Sequence, residues 1–245
     1  MTSSLSSSTA PLASLAESSK CARLSTEFFN QSCRVLARSL LGQTLCRRLS
    51  PTCILKGKIV ETEMYPGHQD HASHSFNQKR TARNGAMFME PGTSYVYSIY
   101  GMYHCFNISS QEEGGAVLIR SLEPLGYEDH WAILKANRCS KRKLASLRVQ
   151  DLTNGPSKLC LSFDINKVNG NALDLKKSDQ IWVEKGDNLP EDSIFVSTRI
   201  GIGSSGEASV NKPYRFYVKN NEHVSILDST DPFKTRKRRR KEVKE

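Results

Sequence analysis

The stretch Thr93–Ser109, TSYVYSIYGMYHCFNIS, reads as two alternating strands joined at Tyr100-Gly101-Met102-Tyr103. Gly101 at the first central position suits a two-residue hairpin turn with positive φ there. Such a turn pairs Tyr100 with Tyr103 and sets Tyr97 and Asn107 on opposite faces, so a pocket shared by both requires a bulge or a longer turn. Hairpin tips usually carry small polar residues, whereas this one carries Tyr100, Met102 and Tyr103. The tip either packs on its own domain or presents an aromatic or apolar wedge of the kind that enters a DNA base stack.

Upstream, Cys53–Glu63 (CILKGKIVETE) predicts a strand interrupted by Gly57, and residues 64–86 predict a long polar loop of the kind that carries function. Strand geometry directs Glu61 and Glu63 to one face and Thr62 to the other, with at least one carboxylate at a pocket edge. An arbitrary E-x-E is more often two solvated acids at a strand end. Here it keeps company with Tyr65 and His74 in the loop, Tyr95 and Tyr97 on the hairpin, and Asn107 and Arg120 on adjoining strands. Flat rings, a carboxylate, an amide and a guanidinium suit a site that sandwiches a planar base and attacks beside it. Each has a structural alternative: Tyr97 as core, His74 as a surface histidine, Arg120 paired with Glu123 or Glu63.

Further out, short helices are expected before Glu27-Phe28-Phe29 and over Val35–Leu41, ending at Gly42. Ala116–Ser121 predicts a buried strand, Tyr127–Ala136 an amphipathic helix and Ser157–Phe163 a second helix; strands follow at 180–184, 194–200 and 214–218. The 245 residues suffice for one domain, expected at 23–228, between a disordered Ser-rich tail (1–22) and a disordered basic tail (229–245). Lys234–Glu245 carries eight basic and two acidic residues, +6 of the chain's +10, leaving about +4 for the body. KTRKRRRK within it is a nuclear-import type patch, so nuclear residence and an import receptor are expected. The Ser-rich start also suits organelle targeting.

Seven irregularly spaced cysteines without a C-x-x-C pair argue against a disulfide framework or zinc site, and six scattered histidines suggest no metal. No clustered Asp/Glu ligands point to a metal-dependent nuclease. No apolar run reaches membrane-spanning length, which implies a soluble protein without a membrane partner.

Several long motifs in one order then carry a family resemblance. IVETEMY (59–65), His74-Ser75, Arg83-Asn84, MFM (87–89), PGT (91–93), YVY (95–97), YGMY (100–103), NISS (107–110), VLIR (117–120), LEP (122–124) and GPSKLC (155–160) closely resemble the alkyladenine (3-methyladenine) DNA glycosylases of the animal and plant type, across roughly Leu24–Leu227. The resemblance implies an α/β (α+β) single domain with a curved, mostly antiparallel sheet, a protruding hairpin and peripheral helices.

It also implies roles. Glu63 matches the general base that activates water, and Arg120 the group that helps hold that water. Tyr65, His74 and Tyr97 match the walls of a flipped-base pocket, and Asn107 the residue that disfavours guanine. Tyr100 matches the side chain that fills the gap left by the extruded nucleotide, with Met102 beside it. Thr81, Ser157 and Lys158 match phosphate contacts, and Met87 a position near the DNA. No cofactor is implied, and no lysine stands among the matched pocket residues to form a Schiff base. The resemblance therefore implies a monomeric, monofunctional N-glycosylase acting on duplex DNA with alkylated or deaminated purines. A lesion-binding protein without catalysis is the alternative. Met64, His68, His71 and Asn77-Gln78 depart from the family pattern and put the pocket shape and loop contacts in question, and 137–150 reads as a variable basic surface.

Overall fold

The computed structural model describes residues 23–138 and 147–234; the expected tail at 1–22, the KTRKRRRK run beyond Lys234 and most of the variable basic segment lie outside them. Among the described residues the protein is a mixed α/β domain with a curled antiparallel sheet of eight strands.

The sheet is organised on one long strand. β1 (Thr44–Ser50) pairs with the first half of β2 (Cys53–Tyr65). β3 (Ser94–Ile99) and β4 (Tyr103–Ser109) form the hairpin, and β4 joins β5 (Ala116–Leu125), which runs along the other edge of β2 from Lys56 to Tyr65. β6 (Ile181–Glu184) borders β1. β7 (Ile194–Ser197) and β8 (Arg215–Val218) form a branch that meets β2 at Glu61–Glu63. Thus β2 exchanges β1 for β8 as its neighbour at the point where its carboxylates begin.

That point is also a double irregularity. Ile59 pairs with Leu122, Glu61 with Ser121 and Thr62 with Ile119, leaving Val60 and Arg120 outside the register. The slip changes the phase of both strands. Ile59 and Leu122 face the core before it, and Thr62, Met64, Ile119 and Val117 face inward after it, with Thr62 Oγ1 donating to Ala37 O at 2.7 Å. Bulges of this kind re-aim side chains beside active sites.

One face of the sheet packs on α1 (Cys33–Ser39) and α2 (Pro156–Ser162) through Leu36, Leu40, Val96, Phe106, Ile108, Leu159 and Phe163. Each such buried side chain contributes about 1.5–3 kcal/mol. The opposite face carries Glu61, Glu63, Tyr65, Tyr95, Tyr97, Asn107 and Arg120.

Several expectations are corrected. The hairpin loop has three residues, since Ile99 pairs with Tyr103. Tyr100 and Gly101 both take positive φ (+52° and +72°), Met102 N donates to Ile99 O at 3.3 Å, and Met102 is the added loop residue before the ladder resumes at Tyr103. The register therefore shifts by one from that of a two-residue turn: Tyr95 opposes Asn107 and Tyr97 opposes Cys105, all on one face. The tip does not pack on its own domain, because Tyr100 is 90% and Met102 63% exposed.

Gly57 does not interrupt β2. It pairs with Leu45 and Pro124, and a Cβ there would stand 3.0 Å from both Leu122 and Phe163, so the glycine admits close packing within a continuous strand. Asp231 is not solvated: it is buried and accepts from the Tyr217 hydroxyl at 2.7 Å, which carries the packed chain past the expected boundary at 228.

Candidate active site

The open face of the sheet, the loop after β2 and the segment after β7 enclose a cleft of about 520 Å³. Tyr65, His74, Tyr97 and Asn107, expected at a base pocket, line it together with Arg120, with Met87, Tyr100 and Ser157, which were expected at the DNA, and with Tyr95, Cys105 and Ile200. Thr81, Met102 and Lys158 are not part of its wall. Thr81 N and Oγ1 instead bond Asn84 Oδ1 at 2.7 and 3.0 Å, and Lys158 Nζ donates to Asn154 Oδ1 at 2.7 Å. Met64 faces the core rather than the cleft. His71 stacks on Phe76 with ring centroids 4.1 Å apart, and His68 borders a separate small cavity with Gln78 and Arg80.

The aromatic wall follows from the hairpin register. Tyr95 and Tyr97 stand two residues apart on β3, with ring centroids 5.3 Å apart. His74 meets Tyr97 edge-on at 4.7 Å, and its Nδ1 is 2.8 Å from the Tyr95 hydroxyl. Burial, reinforced by the Arg83 charge, pushes the His74 pKa down to about 4, so the ring is neutral at pH 7. Burial also pushes the Tyr95 hydroxyl up to about 12 and the Cys105 thiol up to about 11, which keeps both protonated. Asn107 Nδ2 donates to Tyr95 O at 2.9 Å, which fixes the amide at the cleft floor.

Beneath this wall lies a buried charge cluster of two carboxylates and two guanidiniums. Glu63 is fully buried and does not itself line the cleft, although its partners Tyr65, Arg120 and Ile200 do. Its Oε1 receives Arg120 Nη1 at 3.1 Å and Ile200 N–H at 2.8 Å, and its Oε2 accepts from the Tyr65 hydroxyl at 2.8 Å. A carboxylate offers about four acceptor sites; the two hydrogen bonds, from Ile200 N–H and the Tyr65 hydroxyl, leave one on each oxygen, the Arg120 Nη1 contact at Oε1 being an ion pair. Glu61 differs. Oε1 accepts from Arg120 Nε at 3.1 Å and Arg215 Nη1 at 3.0 Å, and Oε2 accepts from Ser121 Oγ at 2.9 Å and Ser225 N at 2.8 Å. Burial disfavours the Glu61 charge, but Arg120, Ser225 and Arg215 outweigh it and hold its pKa below the ordinary carboxylate value. Arg120 is likewise held above its ordinary pKa, burial being overcome by Glu63 and Glu61. It pairs with these two acids rather than with Glu123, which accepts from Asn221 Nδ2 at 2.8 Å.

Sequence reasoning missed the supports of this cluster. Arg199 lies fully buried against Asp70, with Nη2 2.7 Å from Asp70 Oδ1, and its guanidinium sits 4.7 Å from the Tyr65 ring centroid. Arg215 and Ser225 reach Glu61 from 154 and 164 residues away. An aspartate in the loop and arginines in or beside strands were the available signals, and nothing local says which meet.

A family model described as Methylpurine-DNA glycosylase (MPG) matches residues 27–222. The DNA-3-methyladenine glycosylase of Homo sapiens is 46% identical over 211 residues, covering 84% of this chain and 69% of that protein. That of Mus musculus is 46% identical over 212 residues, covering 84% and 62%. A putative 3-methyladenine DNA glycosylase of Clostridium botulinum (strain Alaska E43 / Type E3) is 44% identical over 209 residues, covering 82% and 98%. The matched span contains the whole aromatic wall and both carboxylates of the buried cluster, and the chain belongs to the methylpurine-DNA glycosylase family.

Proposed function

We propose that this enzyme, a DNA glycosylase for alkylated bases, flips alkylated or deaminated purines (3-methyladenine, 7-methylguanine, hypoxanthine, ethenoadenine) out of duplex DNA. It then hydrolyses the N-glycosidic bond, which starts base excision repair. The observation that carries the reading is the Glu63 carboxylate, held by Arg120, Ile200 N–H and Tyr65, three residues that line the aromatic cleft.

Cleavage of an N-glycosidic bond builds positive charge on the sugar. A fixed carboxylate stabilises that charge and takes a proton from the attacking water through its unfilled Oε2 site. Arg120 offsets the cost of burying Glu63 and helps hold the water. Tyr65 on one side and His74 with Tyr97 on the other stack on the flipped base, and the Asn107 amide disfavours the exocyclic amine of guanine. The exposed Tyr100, with Met102 beside it, fills the gap in the duplex. Thr81, Ser157 and Lys158 contact phosphates around the cleft mouth, and Met87 lies near the DNA.

Unstacking costs a few kcal/mol, least for weakly paired damaged bases, which favours lesions. No lysine is among the described residues that line the cleft, in keeping with a monofunctional enzyme that leaves an abasic site. We also read KTRKRRRK as an import signal recognised by an import receptor; nuclear entry of a fusion lacking residues 234–241 would count against this.

The test is excision from duplexes carrying each lesion or normal adenine, scored with and without alkali. Lesion-dependent breaks that need alkali are expected. Strand breaks without alkali would refute the monofunctional reading, and lesion binding without base release would leave a damage-binding protein.

A further inference from the structure

The two acids of the E-x-E are not equivalent. Glu61 spends all four acceptor sites on protein donors, whereas Glu63 spends two, on Ile200 N–H and the Tyr65 hydroxyl, with Arg120 as its ion-pair partner. A carboxylate without an unfilled site cannot bind a water or a substrate proton. What Glu61 does hold is Arg120. Its Oε1 takes Arg120 Nε at 3.1 Å, and the Nη1 of the same guanidinium reaches Glu63 Oε1 at 3.1 Å. Because the guanidinium is a rigid planar fork, fixing Nε at Glu61 fixes where Nη1 lies and so how Glu63 is turned. One donor in this set, Ser225 N, comes from beyond the family match, which ends at 222. The following chain is anchored as well, by Ile226 O to Arg215 Nη1 at 2.8 Å and by Asp231 to Tyr217.

We propose that Glu61 is a positioning residue for the glycosylase reaction. It locks Arg120 through a shell completed by Ser121 and the C-terminal segment at Ser225, and thereby aims the unfilled lone pair of Glu63. The inference rests on Glu63 being the base.

Its test compares wild type, Glu61→Gln, Ser121→Ala and Glu63→Gln in single-turnover excision and in binding to a duplex with a tetrahydrofuran abasic-site analogue. Misplacing a catalytic group by an ångström costs about a hundredfold. The expected result is a fall of that order for Glu61→Gln, a smaller fall for Ser121→Ala, and unchanged analogue binding for both. A folded Glu61→Gln with wild-type rate overturns the proposal, as does equal loss of rate and binding in both variants. If Glu61→Gln fails to fold, Ser121→Ala decides: a slower rate with intact binding supports the proposal, and a wild-type rate overturns it. Continued excision by Glu63→Gln would instead remove the base assignment beneath it.

Discussion

Arg120 Nη1 stands 3.1 Å from Glu63 Oε1 while its Nε, on the same plane, stands 3.1 Å from Glu61 Oε1. One guanidinium therefore bridges two carboxylates that a strand places on the same face. Such a pair of like charges is tolerable only with the cation between them.

Arg120→Met should accordingly destabilise the fold by about 3–5 kcal/mol at pH 7, because it leaves buried acid without its counter-charge. Urea unfolding measures this. The folded-state pKa of Glu61 is lowered, so its stabilising contribution is present above the unfolded value of about 4.3 and is lost as pH falls through the folded pKa. The wild-type and Arg120→Met curves should therefore converge below about pH 4. A gap that stays constant on acidification would contradict the assignment.

Asp70→Ala leaves Arg199 buried without its acid, at a cost of about 3–5 kcal/mol. Because Arg199 also bonds Met64 O at 3.1 Å and sits against Tyr65, the loss should extend to the pocket. Proteolysis of the loop after Tyr65 should quicken in step with the lower urea midpoint.

Tyr100→Gly separates stability from function. Tyr100 is a bulky residue at φ +52°, a conformation that costs about 1–3 kcal/mol and that glycine adopts freely. The variant should be as stable as wild type or slightly more so, while excision from duplex DNA falls and excision from single strands falls less. Equal loss on both substrates would argue against a gap-filling side chain.

His74 should remain neutral between pH 5 and 8, its pKa lying at about 4. The neutral ring stabilises the fold above its unfolded pKa of about 6.5, and that contribution is lost as pH falls toward the folded value. Imidazole nitrogen shifts followed by NMR should show no titration across this range. A midpoint near pH 6.5 would contradict it.

Met87 and Ser157 were assigned only through the family resemblance, whereas the hairpin and the shared face of Glu61 and Glu63 were legible from period-two alternation, a local signal. The turn length was not, since Tyr100 takes a positive φ that its residue type gives no reason to expect. Gly57 misled because a glycine that admits Phe163 looks the same in sequence as one that breaks a strand. The burial of Glu61 depends on Arg215 and Ser225, brought in by β8 and by the chain after it, and that of Glu63 on Ile200 N–H from the segment after β7, partners which no local pattern specifies.

The most direct measurement is Glu63→Gln assayed for single-turnover excision and for lesion-duplex binding in the same preparation. General-base catalysis contributes about 10²–10⁴-fold. Excision should fall by at least that order while lesion binding is retained. Excision at a near wild-type rate would mean that Glu63 is not the base, and the proposed chemistry would have to be assigned elsewhere in the cleft.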